Sequence, residues 1–257
     1  MSLEVSREPT NLMTPMLSSA IALSSIGLSP DLSDPTEIWI QTQRSGRGLM
    51  AGLRRRLKRE RRRRKVGRAY DMALEIARMV PKGSEVLDVG CGNGFIAHHL
   101  SALLRRPVVG IDVTPTTEAA IDYRSYDGRN FPLADRSVDA VLLCYVLHHA
   151  QDVRAVLSEV RRVLRTGGLV LIYEDIPVTV WDKAVCWIHN RQWQGRTGPC
   201  TFRHPSEWRS LFNSEEFEVL ADRQLARARN FTHPVSRRFF QLRLAHCPFG
   251  NTACKSV

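Results

Sequence analysis

The chain has 257 residues, 43% of them apolar and 25% charged, close to the globular average, which excludes wholesale disorder and a fibrous structure. Its length allows one large domain or a core domain with extensions, and its longest unbroken apolar run, Ala140 to Leu147, is far short of the ~18 residues that span a bilayer. The net charge of +11 is local: residues 1–43 sum to −4, Arg44 to Arg68 to +12, and the remaining 189 residues to +3.

Residues 1–43 are rich in Ser, Thr and Pro with weak periodicity, and a poorly ordered N-terminal tail is expected there. The apolar-leaning patch Met16 to Leu28 is broken by serines and has no basic leader, so no export signal is expected. Residues 44–80 form a basic arm that passes into a docking helix. Its apolar stripe is Val66, Tyr70, Ala73, Ala77 and Val80, recurring at three- and four-residue steps, while the Arg-rich half before it should stay in solvent.

From 81 to 246 short apolar runs alternate with amphipathic stretches, the pattern of a parallel sheet covered by helices. Strands are expected near 85–90, 107–112, 121–126, 138–144, 168–174, 217–224 and 237–245, and helices near 94–105, 151–165 and 205–213. The Trp-rich segment 181–203 follows the fifth strand, where a cover over the acceptor would sit. Residues 247–257 form a C-terminal tail. The six cysteines contain no CxxC pair, which favours free thiols in a reducing, cytoplasmic setting and gives no expectation of a metal site.

The most informative segment is Val86-Leu-Asp-Val-Gly-Cys-Gly-Asn-Gly-Phe95. A buried strand running into Gly90, Gly92 and Gly94 brings backbone close to a ligand, and the helix that opens there presents unpaired N–H groups. The spacing is G-x-G-x-G and not the G-x-G-x-x-G of a dinucleotide turn. Asp88 would repel a pyrophosphate but could hold a cationic amine. Asp112, at the tip of the second strand, is placed to accept both hydroxyls of a ribose. Asp127, after the third, could accept from an adenine amino group.

At this point the sequence resembles the class I S-adenosylmethionine-dependent methyltransferases, in particular the type 11 group. The resemblance runs from Glu85 to Asp175, through Gly110-Ile-Asp112, Asp127-Gly128, Phe131 to Asp139, Val146-Leu-His-His149 and Arg162 to Gly168. It implies a Rossmann-like α/β fold with a seven-stranded, mostly parallel sheet, and S-adenosylmethionine as cofactor. It further implies that Asp88, Gly90, Gly92 and Gly94 line the methionine end, that Asp112 binds ribose, and that Asp127 and Gly128 flank adenine. Two departures stand out: the stretch between Asp112 and Asp127 is too short for the usual helix, and Thr166 replaces the usual proline.

His148, His149 and Tyr145 fall at the C-terminal end of the fourth strand, the edge where open α/β sheets bind ligands, and are the candidate catalytic residues. Methyl transfer to a small-molecule or lipid-like acceptor is the expected function. An RNA methyltransferase using the basic arm and a non-catalytic cofactor-binding partner subunit are the alternatives. Arg54 to Arg68 would meet anionic membrane or nucleic acid.

Overall fold

The computed structural model describes residues 35–225 and 235–245, with side chains from Met50 onward apart from those of 196 and 197. The chain divides into two compact units, Met1–Leu57 and Lys58–Val257. Helix α1 (Pro35–Ala77) begins inside the stretch expected as a tail, and Pro35 suits a first helical position because the N–H it lacks would have no partner there. Residues 1–34 and the expected tail 247–257 lie outside the described residues.

Residues 50–65 of α1 are exposed. The buried stripe that follows is Ala69, Ala73, Ile76 and Val80, a slightly different phase from the one expected. Ala69 is small enough to sit against the core, whereas Tyr70 turns outward with its ring edge-on to His99.

The strands are β1 (Val86–Val89), β2 (Val108–Asp112), β3 (Asp122–Ser125), β4 (Val138–Cys144), β5 (Leu164–Asp175), β6 (Phe217–Leu225) and β7 (Arg237–Leu244). They form one sheet in the order β3-β2-β1-β4-β5-β7-β6. The pairs from β3 to β5 are parallel, and β7 runs antiparallel between β5 and β6. The remaining helices are α2 (Phe95–Leu104), α3 (Val153–Val163), α4 (Val180–Thr197) and α5 (Pro205–Ser214). Between β2 and β3 there is no helix, as the short spacing implies.

The central strands are buried on both faces, so alternate side chains feed two separate cores. Leu87, Val89, Val141, Leu143, Val170 and Ile172 pack with α3 and α5. Val86, Ala140, Leu142, Leu171 and Tyr173 pack with the end of α1 and with α2. Truncating one of these leucines or Ile172 to alanine would cost about 2–5 kcal/mol. Successive strands run outward in opposite directions from β1 and β4, and the crevice at that reversal, beyond the strands' C-terminal ends, is where such a sheet takes a ligand.

Candidate functional site

The glycine turn opens that crevice. Gly90 and Gly92 have φ of +66° and +54°, a region a side chain rarely tolerates. A Cβ on Gly90 would overlap the Val146 side chain, whereas one on Gly92 would meet only open space. The turn thus lies against the loop that carries the histidines and leaves room beside its second glycine. The amides of Gly90 and Cys91 donate to the Ile111 carbonyl at 2.8 and 3.1 Å, which ties the turn to β2. Helix α2 follows with Gly94 as its cap and no side-chain cap, so no capping side chain occupies its first N–H groups.

Asp88 is 1% exposed, and neither carboxylate oxygen has a hydrogen-bond partner. Burial and then the negative charge of Asp112 push its pKa up to about 7, and the Ala97 amide, near enough to favour the charged form without completing a hydrogen bond, pulls it partly back. A buried carboxylate without a partner is costly, and a cation brought against it removes that cost.

Asp112 accepts from the Gly92 amide at 2.8 Å through one oxygen and from the Thr114 amide at 3.0 Å through the other. Each carboxylate oxygen has a second lone pair, so a pair of ribose hydroxyls still finds acceptors. Asp127 is exposed and accepts from the amides of Arg129 and Asn130 and from Asn130 Nδ2; these bonds hold its pKa down at about 2. It keeps its charge and shapes the loop beside Gly128. That loop is held to α3 by Arg162, which donates to the Phe131 and Leu133 carbonyls and pairs with Glu159 and Asp135. Cys91 stays a thiol, since burial and then Asp88 raise its pKa.

Beyond β4 a 3-10 turn, Leu147–His149, carries the two expected histidines. His148 is buried, and its Nδ1 lies 2.6 Å from Glu174 Oε2, while the other Glu174 oxygen accepts from the Leu147 amide at 2.8 Å. Burial alone would lower the His148 pKa, but the charge of Glu174 and this hydrogen bond outweigh it and the net change is upward. His148 Nε2 is buried with no hydrogen-bond partner.

The ring of His149 lies 4.2 Å from that of His148. Burial, then the neighbouring His148 and His189, drops its pKa to about 3, so it is neutral at ordinary pH. Tyr145 stands apart from the histidines, packed against Tyr173 with Arg237 4.6 Å above its ring. Burial raises its pKa above the usual phenol value.

The segment expected as a cover is helix α4 and the irregular chain after it. The helix is fixed at its start by a capping box, Thr179 with Asp182, and Asp182 also accepts from the Ser236 amide and hydroxyl. Its later turns bring His189 and Trp193 to the 3-10 turn. His189 Nε2 is 3.3 Å from His149 Nε2, and Trp193 lies 5.2 Å from the His149 ring. The chain then returns across the same place: Thr201 donates to the His148 carbonyl at 2.8 Å, Phe202 stacks on His148, and Cys200 Sγ is 3.3 Å from His149 Nδ1. Trp181 and Trp187 are 64% and 61% exposed, so neither completes a core.

Sequence reading missed Glu174, His189, Cys200 and Phe202. An acid closing the apolar run Leu169 to Tyr173 was a visible signal for Glu174. His189 and Cys200 lie 40 and 51 residues from His149, and no local spacing links them.

The seven-stranded sheet is that of the class I methyltransferases. A solved S-adenosylmethionine-dependent methyltransferase of Mesorhizobium loti superposes with a TM-score of 0.53 at 16% identity, covering 66% of this chain and 96% of that one. Residues 87–172 match the family described as a methyltransferase domain. A probable S-adenosylmethionine-dependent methyltransferase of Mycolicibacterium smegmatis is 37% identical over 97 residues, 35% of this chain and 37% of that protein. A human thiol S-methyltransferase is 34% identical over 155 residues, 54% of this chain and 62% of that protein. Residues 87–172 therefore match a methyltransferase domain, set within a sheet of the class I methyltransferase fold. The chain spans less than two thirds of the length of these two curated relatives.

Proposed function

We propose that this chain transfers a methyl group from S-adenosylmethionine to a small-molecule or lipid-like acceptor received beside His148 and His149. The observation that carries the reading is the buried, unpartnered carboxylate of Asp88 directly behind the glycine turn. It suits a bound ammonium and would repel a pyrophosphate.

S-adenosylmethionine supplies a methyl group already activated on a sulfonium. The protein's contribution is to bind, align and keep water out. Asp88, with the backbone at Gly90, Gly92 and Gly94, holds the amino-acid end. Asp112 accepts from the ribose hydroxyls, and Asp127 with Gly128 borders the adenine. His148, held by Glu174, fixes the turn that borders the acceptor side. His149 and Tyr145 form walls and leave proton transfer to others, because the first is too weak a base and the second too weak an acid. Phe202 and Trp193 make the acceptor side partly apolar, which supports an acceptor with an apolar part.

The similarity to a thiol S-methyltransferase makes thiols the first acceptors to test. The experiment is methyl transfer from labelled S-adenosylmethionine to alkyl and aryl thiols, phenols and lipid extracts, with RNA in parallel. Labelling of RNA alone would replace this reading with that of an RNA enzyme.

The basic arm supports a second, peripheral contact. Its residues 50–65 are exposed, and its few apolar side chains there, Met50, Leu53 and Leu57, make a stripe too narrow for insertion. Among the described residues no helix is long and apolar enough to cross a membrane. Attachment to an anionic surface through Arg54 to Arg68 would be electrostatic and reversible.

A further inference from the structure

We infer that His148, His149 and His189 form a binding site for one divalent transition-metal ion, with Zn²⁺ as the ion of choice. One ring nitrogen from each lies within 4.8 Å of those of the other two. The 3.3 Å between His149 Nε2 and His189 Nε2 is close to the ~3.3 Å edge of a tetrahedron built with Zn–N bonds of about 2.0–2.1 Å.

A hydrogen bond between two imidazoles accounts for only part of this arrangement. A shared proton satisfies His149 and His189, but His148 Nε2 remains buried beside them with no hydrogen-bond partner. A cation satisfies all three lone pairs at once.

The groups behind the ligands point the same way. Metal-binding histidines usually have their other ring nitrogen held by a carboxylate or similar group, which fixes the tautomer and the ring. Glu174 holds Nδ1 of His148 at 2.6 Å, leaving Nε2 to the ion. Cys200 Sγ sits 3.3 Å from Nδ1 of His149, leaving Nε2 of that ring to the ion as well. Cys200 is itself fixed by its amide, which donates to Asn190 Oδ1 at 2.8 Å, one residue on from His189.

Neutral imidazoles suit zinc, copper and nickel and not magnesium or calcium. Three protein ligands leave a fourth position for water or for an acceptor atom, the arrangement of catalytic and not structural zinc. Binding of the ion rests on no part of the methyl-transfer reading.

The test uses full-length, untagged protein stripped of metal and titrated with Zn²⁺ against a chromophoric chelator, with bound metal counted by mass spectrometry. The expected result is one Zn²⁺ per chain with submicromolar affinity. It should weaken at least 100-fold in His189→Gln and His149→Ala, and about 10- to 100-fold in Glu174→Gln. His98→Ala, an exposed histidine elsewhere, should bind as the parent does. Substituted Co²⁺ should show visible bands of a tetrahedral site without a strong thiolate charge-transfer band, because Cys200 stands behind His149 and does not ligate.

His189→Gln retains size and polarity, and unchanged melting in the absence of metal shows that it folds. Absence of stoichiometric Zn²⁺ at micromolar concentrations, or equal affinity in the His189→Gln and parent proteins, would overturn the site.

Discussion

Glu174 and His148 are both buried, and the glutamate carboxylate bridges the histidine Nδ1 at 2.6 Å and the Leu147 amide at 2.8 Å. One acid at the end of β5 thus fixes both the backbone and a ring of the turn that follows β4. Replacing it with leucine leaves two buried donors unpaired, each worth about 1–3 kcal/mol. Glu174→Leu should therefore lower the unfolding free energy by several kcal/mol, while Glu174→Gln should remain folded. In Glu174→Gln methyl transfer should fall about 10- to 100-fold with S-adenosylmethionine affinity nearly unchanged, a comparison made by steady-state kinetics and calorimetry together.

The raised pKa of Asp88, about 7, has a sign that can be checked. Between its unfolded value of about 3.9 and 7 the native state keeps a proton that the unfolded chain has lost. This group's contribution to stability therefore falls as pH rises through that window and is level above it. An ammonium bound beside Asp88 should drive the proton off. Calorimetry at pH 7 in buffers of different ionisation enthalpy should show release of about half a proton per S-adenosylmethionine, fading to none by about pH 9. Asp88→Asn should abolish the release and weaken binding.

How much of this was legible in the sequence depends on the distance over which each feature is built. The strands and α2, α3 and α5 follow from local apolar periodicity and appear within a few residues of expectation. The glycine turn and its three acids are each tied to one strand end, so they too could be read locally. The end of α1 was harder. A stripe at three- and four-residue steps can be read in two neighbouring phases, and only packing against the sheet chose Ala69 and Ile76 over Tyr70. The histidine cluster was not legible as a cluster, because the 3-10 turn, α4 and the chain after it are far apart in sequence and meet only in the folded protein.

The cover can be tested by comparing two tryptophans. Trp193 is half-buried against His149 and stacks on His189 at 5.9 Å, whereas Trp187 is mainly exposed with Arg191 near its ring. Trp193→Ala should reduce methyl transfer at least tenfold and leave cofactor affinity intact. Trp187→Ala should shift the melting temperature by less than about 2 °C, as surface substitutions do. Equal effects of both on acceptor turnover would show that the exposed face of α4 also meets the acceptor.

The basic arm should bind anionic vesicles at low ionic strength and release them near physiological salt, where the Debye length has shrunk to about 8 Å. Sedimentation with vesicles across a salt series measures this. Deleting residues 1–57, the first compact unit, should weaken that attachment and keep cofactor binding. RNA binding that persists well above physiological salt would favour the nucleic-acid partner instead.

Everything proposed for the reaction depends on the glycine turn and its acids holding S-adenosylmethionine. Titration calorimetry of the full-length protein tests it most directly, with S-adenosylmethionine, its demethylated product and NAD as ligands for both the parent and Asp112→Ala. Micromolar binding of the first two is expected, with no heat from NAD and a loss of about 10- to 100-fold in Asp112→Ala as charge-assisted hydrogen bonds to the ribose disappear. Tight binding of NAD, or an affinity for S-adenosylmethionine that Asp112→Ala leaves unchanged, would contradict it.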